Sequence, residues 1–244
     1  MGQELGKSLD LSGSKGKSPQ RIYRIGIELE GGWTKLPAGT RGLQHDGSVQ
    51  IERGLGDSAL VTGELANGPM SMQEWESWLK SHYPQKINAT CGMHVHLSPR
   101  TALAYSRLMD PCYPGTVVEY FKRWATRMNL ANSHPIWPRL KGKSIYCQHL
   151  YMADDQVRNV TKDHNQQRPG HRYTVINYCH GRYGTVECRL LPMMDTSQDA
   201  ISMVQELVDI TNAFLKVTRR KETRHEIKTE ADGESLRENR RIFV

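Results

Sequence analysis

The sequence predicts an α+β domain, and three observations carry that expectation. Several segments alternate apolar and polar residues at the period of a strand. Between them run stretches whose apolar residues recur at helical spacing. The last two strand segments, 171–180 and 183–192, are joined through His180, Gly181 and Arg182, a link of hairpin length.

Residues 1–20, MGQELGKSLDLSGSKGKSPQ, are rich in Gly, Ser and Lys without periodicity and read as a disordered leader. The folded domain is expected over 21–218. It opens on RIYRIGIELEGG, where Ile25, Ile27 and Leu29 alternate with Gly26, Glu28 and Glu30. SALVTGELA (58–66) is the next strand. SMQEWESWLKSHY (71–83) predicts a helix, with Ser71 and Glu74 as a capping box and Trp75, Trp78, Leu79 and Tyr83 near one face. CGMHVHLS (91–98) is a strand. PGTVVEYFKRWATRMNLA (114–131) predicts a second helix, started by Pro114 and striped by Val117, Phe121, Trp124, Ala125 and Met128.

Residues 132–171 are rich in Lys, Arg, His, Asn and Gln and weakly periodic, which predicts a basic loop or insertion placed to meet substrate. HRYTVINYCH (171–180) and YGTVECRLLP (183–192) are the hairpin strands. TSQDAISMVQELVDITNAFLKV (196–217) is a third helix, with Thr196 and Asp199 at its start and Ile201, Val204, Val208 and Leu215 on its apolar stripe. The end, 219–244, is a mixed-charge tail or helix.

The chain of 244 residues suits one domain of ordinary size. No apolar run reaches the roughly 20 residues of a spanning helix, and the start lacks the apolar stretch of a signal peptide, so a soluble, cytoplasmic protein is expected. Five cysteines, scattered and never spaced as CxxC, point to reduced thiols rather than a disulfide framework or a zinc ribbon. A formal charge of +7 and a pI near 9.2 would favour an anionic partner such as ATP or nucleic acid.

Side chains two apart on a strand share a face. Glu28 and Glu30 therefore oppose Ile27 and Leu29; His94 and His96 oppose Met93, Val95 and Leu97; Glu187 and Arg189 oppose Val186, Cys188 and Leu190. Glu64 adds a fourth strand. A wet sheet face needs polar residues, but crowded carboxylates repel and raise one another's pKa unless a cation neutralises them. A divalent metal satisfies that requirement. Zinc prefers Cys and His in a closed tetrahedron, whereas Mg²⁺ takes carboxylate oxygens and water and bridges to phosphates. A carboxylate-dominated set with a histidine and a nearby arginine fits Mg²⁺, or Mn²⁺, holding a nucleoside triphosphate, with Arg189 meeting phosphate oxygens.

Two other readings stay open. His94 and His96, with Cys91 or Glu64, could serve a zinc-dependent hydrolase. The basic 132–171 region, with Trp137, Tyr146 and Tyr151 to stack bases, and the Arg-rich end could instead bind nucleic acid without catalysis.

Taken in order, GIELE, HDGSV (45–49), GEL (63–65), CGMHVHLS, RYTVIN (172–177) and TVECRLL resemble the carboxylate–amine ligases related to glutamine synthetase and glutamate–cysteine ligase. They resemble most closely the amidoligase family of bacteria and phages. The resemblance spans roughly 21–215. It implies a glutamine synthetase-like catalytic domain: a curved antiparallel sheet holding ATP and Mg²⁺ on its concave face, with helices on the convex side. It further implies that Glu28, Glu30, Glu64, His94 and Glu187 bind metal, that His96 lies nearer the ATP, and that Arg189 stabilises the phosphoryl group. Arg172 and Asn177 match a family strand and become substrate or nucleotide contacts. His45 and Asp46 follow the first strand as in the amidoligases, whereas in glutamine synthetases the comparable aspartate precedes it; they become candidates for the base that deprotonates the amine. The implied reaction joins a carboxylate to an amine through an acyl phosphate. The substrate would be a peptide, a small acid and amine, or a modified base in phage DNA.

Overall fold

The computed structural model describes residues 23–40, 42–52, 60–149, 173–179 and 183–216. The expected leader, the C-terminal charged run and the hairpin link at 180–182 lie outside these residues, as do 150–171 of the basic region.

The architecture is α+β. Strands β1 (Tyr23–Trp33), β2 (Val61–Met70), β3 (Met93–Pro99), β4 (Ile176–Tyr178) and β5 (Val186–Cys188) form one sheet in the order β2-β1-β3-β5-β4. Every neighbouring pair is antiparallel. Helices are α1 (Trp75–His82), α2 (Ala102–Leu108), α3 (Cys112–Arg127), α4 (Ile136–Leu140) and α5, over 197–216.

Period-two alternation decides the two faces. Ile25, Ile27 and Leu29 of β1, Met93, Val95 and Leu97 of β3, and Val186 and Cys188 of β5 are fully buried in one apolar cluster. That cluster also holds Trp75 and Leu79 of α1, Val117, Phe121 and Ala125 of α3, and Val204, Leu207 and Val208 of α5, so the helices cover this face. Polar anchors fix them there. The Tyr23 hydroxyl donates to Val208 O (3.3 Å) and Asn212 Oδ1 (3.1 Å), and the Tyr113 and Thr211 hydroxyls meet at 2.8 Å between α3 and α5.

Several expected boundaries shift. The strand expected over 58–66 runs instead over Val61–Met70 and carries an irregularity where Ile25 pairs with Met70 but Ile27 with Asn67. The two late strands shrink to three residues each, because only there do both edges of β5 find partners. Helix α1 begins at Trp75, although Ser71 N–H still donates to Glu74 Oε2 (2.8 Å), one half of the expected capping box. Met128 falls just beyond α3 and is 55% exposed, so the buried stripe ends at Ala125. The basic region is not wholly a loop, since α4 forms within it and buries Ile136 and Leu140. At α5 the start is as expected: Thr196 Oγ1 accepts from Asp199 N–H (3.1 Å) and donates to the Asp199 carboxylate (2.6 Å).

Among the described residues no helix is long and apolar enough to cross a membrane.

Candidate functional site: an acidic floor across four strands

The face away from the helices carries the polar half of each strand. Register decides who meets whom. Glu30 pairs with Glu64 across β1 and β2, and Glu28 with His94 across β1 and β3; His96 pairs with Glu187, and Glu187 with Asn177. The result is one contiguous floor of carboxylates and imidazoles. Glu30, His94, His96, Asn177 and Glu187 are all buried.

Two groups within the floor have ligand atoms close enough to share a metal ion. Glu28, His96 and Glu187 form one, and Glu30, Asp46 and Glu64 the other; in each, the candidate ligand atoms lie within 4.8 Å of one another. His94 stands between them. Its Nδ1 lies 3.2 Å from Glu28 Oε2 and 3.4 Å from Glu187 Oε1, and its Nε2 lies 3.6 Å from Glu30 Oε1.

Each ligand candidate is held by its surroundings. His96 Nε2 lies 2.8 Å from Glu28 Oε1, and its Nδ1 lies 2.9 Å from Thr185 Oγ1, which orients the ring. Glu187 accepts from Arg189 Nη1 (2.5 Å), Asn177 Nδ2 (2.6 Å) and Cys179 Sγ (3.2 Å). Glu30 Oε2 accepts the Gly92 N–H at 2.5 Å. A side chain at Gly92 would begin 3.0 Å from His94 Nε2 and 3.2 Å from Glu30 Oε2. A Cβ there would make these side-chain ends give by a few tenths of an ångström, space that glycine leaves to them.

The loop bearing Asp46 reaches the floor through an isolated bridge. Gln44 and Glu64 exchange both backbone hydrogen bonds (2.8 and 2.9 Å), and the carbonyl of Gln44 would sit 2.5 Å from any Cβ on Gly63. Asp46, two residues beyond Gln44, then reaches Glu64 and Glu30, and its Oδ1 accepts the Ser48 N–H (2.7 Å). His45, between them, is exposed and belongs to neither group.

Electrostatics divide the carboxylates. Burial works to raise the Glu28 pKa, but hydrogen bonds from His94 and His96 outweigh it and hold the group well below the usual carboxylate range. Burial opposes ionisation of Glu187 as well, and the charge of Arg189, with the two histidines, again prevails and lowers it. Glu64 is treated differently by its neighbours. Burial, then the charges of Glu28, Glu30, Asp46 and Glu187, push it up to about 8.

Arg189 is fixed on three sides. It grips Glu187, donates from Nε to Tyr146 O (3.4 Å), and lies 5.6 Å from the Tyr173 ring centre. That last distance is within cation–π range. Of the expected nucleotide contacts, Asn177 is occupied with Glu187, and Arg172 lies outside the described residues. Cys91 is buried in the apolar cluster on the other face. Trp137 lies under Lys141, whose Nζ is 5.5 Å from its ring centre, and Tyr151 lies outside the described residues. Alternation puts Thr185 on the Glu187 face and Cys179 on the Asn177 face, but only strand register shows that they reach His96 and Glu187, and no strand pattern marks Arg139, which lies on α4.

The donor set suits a hard divalent cation. Glu30, Asp46 and Glu64 offer oxygen only, and the other group offers two carboxylates and one imidazole. Comparison of the chain with family models, with curated proteins and with solved structures found no match.

Proposed function

We propose that this protein is an ATP-dependent carboxylate–amine ligase of the glutamine synthetase-like, amidoligase type, working with Mg²⁺ or Mn²⁺. The observation that carries this reading is the pair of adjoining acidic groups on one sheet face, with Arg189 at their edge. An antiparallel sheet with helices on its other face is compatible with the architecture this reading requires.

In this reading a substrate carboxylate takes the γ-phosphoryl group of ATP, giving an acyl phosphate and ADP. An amine then attacks the acyl carbon, phosphate leaves, and an amide remains. A bound divalent ion would supply charge neutralisation to the phosphoryl oxygens. Glu28, His96 and Glu187 would hold one ion and Glu30, Asp46 and Glu64 a second, with His94 bracing both groups. Arg189 would meet the phosphoryl oxygens as charge moves onto them. With Asp46 committed to a cation, His45 would be the base that takes a proton from an incoming ammonium.

The test is a panel of carboxylates and amines, scored for amine-dependent ADP formation with Mg²⁺ or Mn²⁺ and followed by mass spectrometry of the product. An amide product supports the reading. No ADP with any pair, together with stoichiometric tightly bound zinc, would favour the hydrolase reading. Salt-sensitive nucleic-acid affinity without ADP would favour binding alone.

A further inference from the structure

Among the described residues, Arg139 is a buried arginine that the proposed reaction leaves without a task. It lies on α4, a five-residue helix inside the basic region, and is only 6% exposed. A buried guanidinium is normally paired with a carboxylate. Among the described residues no carboxylate comes within ion-pair distance of Arg139. Its contacts are two backbone carbonyls: Nη1 donates to Arg189 O at 2.7 Å and Nη2 to Cys91 O at 3.5 Å.

Those two carbonyls belong to the two halves of the site. Cys91 precedes Gly92, whose N–H grips Glu30 in one acidic group. Arg189 grips Glu187 in the other. Nη2 also stands 3.0 Å from where a Gly92 Cβ would be, the point on which His94 Nε2 (3.0 Å) and Glu30 Oε2 (3.2 Å) converge. The guanidinium thus lies at the edge of the floor, beside Glu30 and His94. Burial lowers its pKa, and the charge of Glu30 acts in the opposite direction.

From this geometry we infer that Arg139 is a positioning residue, a two-pronged clamp that holds the start of β3 and the end of β5 so that both acidic groups face one space. The inference rests on the metal-dependent reading above. Two consequences of the side chain have opposite signs. As a charge beside Glu30, Arg139 repels an incoming cation, so its removal would tighten metal binding. As a clamp it orders the ligands, so its removal weakens binding; residues supporting metal ligands are typically worth about 10- to 100-fold in affinity. The short bond to Arg189 O, with the second bond to Cys91 O, makes the clamp the larger effect.

Arg139→Met removes both charge and fork; Arg139→Lys keeps the charge but offers one compact ammonium that cannot reach both carbonyls at once. Mn²⁺ binding is measured by electron paramagnetic resonance titration of the full chain, with circular dichroism to verify folding. The expected result is affinity about 10- to 100-fold weaker in both variants. Should the Met variant fail to fold, the Lys variant carries the test. Binding in the Lys variant within about two-fold of wild type, or tighter binding in the Met variant, would overturn the clamp while leaving the metal reading in place. A wild-type protein that binds no Mn²⁺ overturns both.

Discussion

Glu64 offers the sharpest test of the acidic floor. Its carboxyl is pushed up to about 8 by burial and by the charges of Glu28, Glu30, Asp46 and Glu187. One unit below that value, at pH 7, roughly nine-tenths of the molecules carry the Glu64 proton. A divalent ion needs the carboxylate, so binding must expel it. Mg²⁺ binding should therefore release about 0.9 proton from Glu64 at pH 7 and about 0.1 at pH 9. Apparent affinity for that ion should rise about tenfold, or about 1.4 kcal/mol, between these pH values and flatten above 8. The assay is titration calorimetry in buffers of different ionisation enthalpy, comparing wild type with Glu64→Gln. His96 is buried, but its contacts with Glu28 outweigh that and raise its pKa; any proton it gives up on binding is common to both proteins, so their difference isolates Glu64. Equal proton release by the two proteins at pH 7, or release that does not fall by pH 9, would refute the assignment.

Three further outcomes are expected. Glu28→Gln and Glu187→Gln should each abolish amine-dependent ADP formation while circular dichroism stays unchanged; full activity in both would remove the basis for the ligase reading. Because the Glu28 pKa is depressed in the folded protein, its contribution to stability is present above the unfolded value near 4.5 and is lost as pH falls from there through the folded value. Acid titration of Glu28→Gln should accordingly show a shallower loss of stability than wild type, and an identical slope would count against the His94 and His96 contacts. Phe121, fully buried on α3, should lose about 3 to 5 kcal/mol on substitution by Ala. Met128 is 55% exposed past the end of that helix. Its replacement by Ala should cost no more than about 0.5 kcal/mol. Chemical denaturation measures both, and equal losses would contradict the burial assigned to this stripe.

Strand polarity was readable directly from residue spacing. Alternation places Glu28, Glu30, His94, His96, Glu187 and Arg189 on polar faces because the strand repeat is two, whatever the partner strand. The apolar stripe of α3 was readable for the same kind of reason, with Val117, Phe121 and Ala125 recurring at helical spacing. It overran its end at Met128, where pattern alone carries no stop signal. The late strands were also overestimated, since the length of a strand depends on how far its neighbour continues beside it.

By itself, then, the sequence determined which side chains leave the core, and so the chemistry available to the site: carboxylates, imidazoles and a guanidinium. Tertiary structure alone decided their partners. Pairing Glu30 with Glu64, or His96 with Glu187, requires a register set by burying Ile25, Ile27, Leu29, Met93, Val95 and Leu97 together, which no local spacing encodes. The Gln44–Glu64 bridge that delivers Asp46, and the reach of Arg139 from α4 to Cys91 and Arg189, join residues far apart in the chain. Such contacts form because buried polar groups must find hydrogen-bonding partners, and only the folded chain decides which partners are near.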